Sequence, residues 1–70
     1  MKRFGEKLRT LRQREKLSMR QLGKMLEVHH SHIGQIEHGL KPSVDMILKI
    51  SRLFDVCTDK LMKDELELDD

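Results

Sequence analysis

A change of helical phase at Glu27-Val28 constrains this chain more than any other feature of it. Before the break, Leu22 and Leu26 stand i, i+4, which predicts one face of a short helix over residues 18–26. After it, Ile33 and Ile36 set the inward side of a second short helix over about 29–38, with Val28 just ahead of it. Helices of about eight residues are marginal alone in water, because the cost of nucleation is shared among few hydrogen bonds. The pair can persist only if neighbouring helices cover its apolar faces.

The flanking sequence supplies those neighbours. Residues 3–16 carry Phe4, Leu8 and Leu11 at spacings of four and three, with charges between them, as in an amphipathic helix. Leu17-Ser18 ends it, and Ser18 with Gln21 fits a capping box. Gly39 suits the end of the third helix, and Ser43, after Leu40-Lys41-Pro42, caps a fourth over 44–54. That helix presents Val44, Ile47, Ile50, Ser51 and Phe54. Asp55-Val56-Cys57 reads as a turn, and a fifth short helix over 58–64 contains Leu61. Residues 65–70 form an acidic tail that is expected to fray. No segment alternates with a period of two. The expected fold is all-α, with five short helices in one domain over residues 1–64.

Size and charge narrow the function. Seventy residues, 37% of them hydrophobic and none of them Ala, suffice for one compact core. They leave too little for a deep substrate pocket as well. No run approaches the roughly 20 apolar residues of a membrane span, and the start has no apolar stretch typical of a signal peptide. One cysteine cannot form an intrachain disulfide, so a reducing cytoplasm is the expected location. The net charge of +2 hides a division. Residues 1–42 hold ten Lys/Arg against four Asp/Glu, which is +6, and residues 43–70 hold four against eight, which is −4. A basic first part suggests a face for a polyanion, and solvated charge without a partner is the alternative.

Residues 18–37 have the pattern of a helix-turn-helix, which places its second helix in the DNA major groove. Gly23 is the small residue that lets the two helices approach, Val28 fills the elbow, and Ile33 and Ile36 point inward. The resemblance extends further. Glu37-His38-Gly39, Pro42-Ser43, Leu48-Lys49-Ile50-Ser51 and the run from Asp55 to Leu61 resemble the lambda-repressor-like family of the Cro/CI or Xre type, over about residues 4–62. Three positions depart from the family's pattern. The elbow, commonly Gly, is Glu27, at a cost on the order of 1 kcal/mol if the backbone there is left-handed. A common Gln is Met19, which leaves the phosphate role to Arg20, and a frequent Asn is His38.

With Ile33 inward and about 100° per residue, Ser31 and Gln35 lie at about 160° and 200°, and Gly34 and His38 at about 100° and 140°. His30, at about 60°, flanks the N-terminal end. The groove-facing set is therefore His30, Ser31, Gly34, Gln35 and His38, and the resemblance assigns base contacts to His30, Ser31 and Gln35. Gln can bridge adenine N6 and N7, and Ser can pair with several bases. Arg20, Lys24, His29 and Lys41 are the candidate phosphate contacts, His29 because helix N-termini bind anions. Arg9 and Arg14 are expected to be only solvated.

The resemblance also implies an ion pair between Arg12 and Glu37, partly buried, with two exposed charges as the alternative. It places a two-fold interface in the last helices, where Leu48, Leu53, Leu61 and Met62 lie beyond the core stripe, followed by Leu66 and Leu68. The alternative is a monomer whose C-terminal leucines complete its own core. His29, His30, His32 and His38 contain no i, i+4 pair, so no metal site is expected. Their protonation near about pH 6–6.5 would add charge beside phosphate and tighten binding. Cys57 is expected to be a cap or a small packed side chain. No catalytic set, cofactor motif or small-molecule effector site emerges. The expected function is a homodimeric regulator that binds double-stranded DNA. The alternative is an interaction module such as an antitoxin or antirepressor.

Overall fold

Side-chain caps start the second, third and fourth helices, and left-handed residues follow the second and the fourth. The structure, a computed structural model, describes residues 2–68. Met1 and the tail residues Asp69 and Asp70 lie outside the described residues. The chain forms α1 (Phe4–Arg14), α2 (Met19–Leu26), α3 (His30–Glu37), α4 (Val44–Phe54) and α5 (Thr58–Met62). Lys16, at φ 55°, turns the chain after α1. The Ser18 capping box is formed: Ser18 Oγ accepts the Gln21 N–H at 3.1 Å, and the Ser18 N–H donates to Gln21 Oε1 at 2.8 Å. α2 ends on Glu27, at φ 61° and ψ 40°, the left-handed conformation that glycine would adopt without strain. His29, expected inside the third helix, is extended and caps it instead. Ser43 Oγ caps α4 by accepting the Met46 N–H at 3.1 Å. α5 stops at Met62 because Lys63 is extended, two residues short of the expected end.

The core is Phe4, Leu8, Leu11, Leu22, Leu26, Ile33, Ile36, Met46, Ile47, Ile50 and Leu61, all under a tenth exposed. It draws on every helix. α3 packs on α2 and α1, and α4 and α5 close the far side. Two expectations change here. Val44 was expected in the α4 stripe and is 74% exposed. Met46 takes its place, because α4 turns its Met46-Ile47-Ile50 side inward. Leu61 was expected at a dimer surface and is fully buried, where it joins α5 to the core.

Glu67 and Leu68, in the described part of the acidic tail, make contacts with the domain. Asp64 accepts the Lys2 and Arg3 amide protons at 2.9 and 2.8 Å, just ahead of α1, whose own N-cap residue, Arg3, makes no side-chain capping bond. Arg3 donates through Nη1 and Nη2 to the two carboxylate oxygens of Glu67, at 2.8 and 3.1 Å. Lys7 is 2% exposed, and its Nζ donates to the carbonyls of Lys60 and Lys63 at the end of α5. Leu68 packs on the core. These bonds clasp the two ends of the chain together.

Candidate nucleic-acid interface

Close approach of α2 and α3 depends on the absence of a Cβ at Gly23. One there would stand 2.7 Å from the Val28 carbonyl oxygen and 3.2 Å from the His30 nitrogen. Gly5 has the same role between α1 and the end of α3, since its Cβ would stand 2.4 Å from the Ile36 oxygen. Sequence reasoning passed over Gly5, and its signal is a glycine inside an amphipathic helix beside Phe4. Arg12 and Glu37 add the polar half of that junction. Arg12 Nε donates to Glu37 Oε2 at 2.7 Å and Nη2 to Oε1 at 3.1 Å, while Nη1 donates to the Leu17 carbonyl at 2.9 Å. The side chains are 13% and 3% exposed. The hydrogen bond to Glu37 holds the Arg12 guanidinium further above its already high usual pKa.

With its inner side seated by Ile33 and Ile36, α3 presents Ser31, Gln35 and His38 to solvent. His30 and Gly34 are half-buried. The His30 ring lies 4.2 Å from that of His29, tilted by 31°. Partial burial, then the neighbouring His29 and Arg20, push the His30 imidazole below its usual value and favour its neutral form. Gly34 faces Met19, whose sulfur would touch an added Cβ at 3.5 Å. Met19 thus covers part of the α3 face where the family's pattern has Gln.

Of the four candidate phosphate contacts, three come together. Arg20, Lys24 and His29 line one open notch with His30 and Val28, at the start of α3. Lys41 is exposed on the loop after α3 and does not join them. His29 does not leave the helix end free for an anion, as expected from sequence, because its own Nδ1 accepts the Ser31 N–H at 3.1 Å. Arg9 and His38 flank a second notch at the other end of α3, above the Arg12–Glu37 pair.

Leu48 in α4 and Met62 in α5 are each 39% exposed, and Leu40 and Val44 lie open as well. Leu53 is half-buried against the core. Cys57 is exposed and makes no capping bond, so it has neither expected role. Among the described residues, no group of three or more His, Cys, Asp or Glu could hold a metal ion. No helix among them is long and apolar enough to cross a membrane.

Comparisons with known proteins agree with this geometry. A helix-turn-helix family model matches residues 8–61. The P22 c2 repressor, solved in complex with a synthetic operator, is 30% identical, with a TM-score of 0.80 over 89% of this chain and 96% of its own. The restriction-modification controller protein C.AhdI from Aeromonas hydrophila is 31% identical, with a TM-score of 0.75 over 87% and 94%. The N-terminal DNA binding domain of SinR from Bacillus subtilis shares the fold, with a TM-score of 0.82 at 23% identity over 96% and 100%. No curated protein sequence matches the chain. The glycine inside α2, the inward isoleucines and a family match spanning α2 through α4 lead to one assignment: the chain belongs to the helix-turn-helix DNA-binding family of the lambda-repressor-like, Cro/CI or Xre, type.

Proposed function

We propose that this protein is a transcriptional regulator that binds a pseudo-palindromic operator in double-stranded DNA as a homodimer. One observation carries the reading: α3 exposes Ser31 and Gln35 while Ile33 and Ile36 are fully buried, with Arg20, Lys24 and His29 grouped at its start. A helix so placed can enter a major groove with polar side chains toward the base edges and cations toward phosphate. His30, Ser31, Gly34, Gln35 and His38 form the base-reading set. Arg20, Lys24, His29 and Lys41 hold the backbone. Resemblance to a repressor solved with its operator and to a restriction-modification controller supports the assignment.

Size and surface support the dimer. The domain measures 28 × 22 × 18 Å, less than one duplex turn of ~34 Å, so one copy reads only a short half-site. Leu48 and Met62, with Val44, are exposed apolar residues of α4 and α5. Leu53 contributes its open edge, and Leu61 is withdrawn into the core. Binding, with no chemical step, is the activity this arrangement serves.

Selection from random duplex DNA at two salt concentrations tests the proposal. The expected result is a two-fold symmetric consensus whose affinity falls steeply with salt. Sequence-blind binding, or a consensus without symmetry, would count against it.

A further inference from the structure

Ser31 does not stand alone on the reading face. Its Oγ lies 2.8 Å from His29 Nδ1, and that same nitrogen accepts the Ser31 backbone N–H at 3.1 Å. A nitrogen that accepts an N–H must carry its lone pair there, so the His29 proton sits on Nε2. The contact between the two side chains then has one direction: the Ser31 hydroxyl donates its proton to His29. A hydroxyl has one proton and two lone pairs. With the proton spent on His29, Ser31 offers solvent, or a base edge, only acceptors.

We infer that His29 is a positioning residue that sets the hydrogen-bond polarity of Ser31, and that a second proton on His29 reverses it. Once Nδ1 carries a proton it can only donate. The ring's Nδ1–H then donates a hydrogen bond to Ser31 Oγ and releases the Ser31 N–H, and the hydroxyl proton is free to point outward. In the major groove cytosine offers only a donor, N4, and guanine only acceptors, O6 and N7. The neutral ring therefore suits cytosine opposite Ser31, and the charged ring suits guanine. The groups facing His29 are Arg20 and Lys24 from α2 and His30 beside it on α3, and no carboxylate is among the described residues lining that notch. The inference rests on the proposed placement of Ser31 against a base and adds to it the class of edge that each protonation state reads.

The test compares matched operators. Selection at about pH 8 yields a consensus, and Ser31→Ala identifies the position Ser31 reads as the one whose discrimination disappears. Duplexes with cytosine or guanine at that position are then competed at about pH 8 and about pH 5, at fixed salt, with ordinary imidazoles neutral at the first and charged at the second. The ratio cancels any general gain in affinity from added positive charge. The cytosine preference should fall about tenfold on acidification, the scale of one mismatched contact. His29→Asn, whose side-chain oxygen accepts at every pH, should keep the cytosine preference at both. A wild-type ratio that does not move with pH overturns the inference and leaves the DNA reading intact, as does a shift that persists in His29→Asn. Absence of any consensus overturns both. Nitrogen NMR of the free protein provides a check without DNA: His29 should be the Nε2–H tautomer at about pH 8, and the Nδ1–H tautomer would overturn the inference by itself.

Discussion

The helix-turn-helix and the clasp between the chain's two ends solve the same problem by different means. In the first, α2 and α3 close on each other because Gly23 has no Cβ and Val28, Ile33 and Leu22 fill the space. Its contacts join residues near in sequence and are almost wholly apolar. In the second, charged groups do the joining across more than fifty residues: Lys7 to the carbonyls of α5, Asp64 to the start of α1, and Arg3 to Glu67. A motif built from neighbours can be recognised as a pattern of spacings. A clasp built from distant polar groups carries no spacing to recognise.

The comparison predicts where damage should spread, and four substitutions or conditions would break or sharpen it. Glu37→Gln should have the largest effect. It leaves the Arg12 guanidinium, 13% exposed, without its compensating charge, at a cost of roughly 3 kcal/mol. Thermal melts would register it, and a loss under about 1 kcal/mol would mean the pair behaves like a surface one. Lys7→Met should follow at about 2 kcal/mol, because the carbonyls of Lys60 and Lys63 lose their donor. Hydrogen exchange should show the loosening first in residues 58–68 while α2 and α3 stay protected. Equal loosening of both regions would show that the two are one cooperative unit.

Glu27→Gly should act in the opposite direction. Relief of the left-handed strain at φ 61° should raise stability by about 0.5–1 kcal/mol, after the added freedom of the unfolded chain is counted. Denaturant midpoints would measure it, and no gain would mean that Glu27 makes a compensating contact. The smallest effect belongs to Asp64. The Arg3 and Lys2 amides it accepts hold its carboxyl below the usual carboxylate value. Its contribution is therefore complete above about pH 4, the ordinary value, and is lost as the pH falls through the lowered one. Asp64→Asn should weaken the first turn of α1 at neutral pH and flatten the decline of stability on acidification. An unchanged acid profile would show that the clasp does not depend on this carboxylate.

Much of the candidate interface could be read in the sequence, and the reason is local. Ser31 and Gln35 were placed outward because an eight-residue helix with Ile33 and Ile36 inward leaves them no other direction. Val44 misled because α4 has apolar residues on more than one side, and only packing decides which of them turns inward. His29 misled because a histidine ring can either meet an anion or cap its own helix, and the sequence does not distinguish the two. Lys7 gave no warning at all: a lysine among charges in an amphipathic helix reads as solvated until a distant helix end is brought over it.

By itself the sequence determined the five helices, the serine caps of α2 and α4, the elbow, and the family to which they belong, because these depend on spacings and residue types within a few turns. It also determined the uneven charge, with +6 over residues 1–42 and −4 over residues 43–70. Only the tertiary structure decided that part of the acidic end would be turned back onto Arg3 and Lys7, that Leu61 would complete the core, and that His29 would take the Ser31 hydroxyl. Those outcomes rest on which distant or flexible groups come within hydrogen-bonding distance, and the folded chain alone sets that distance.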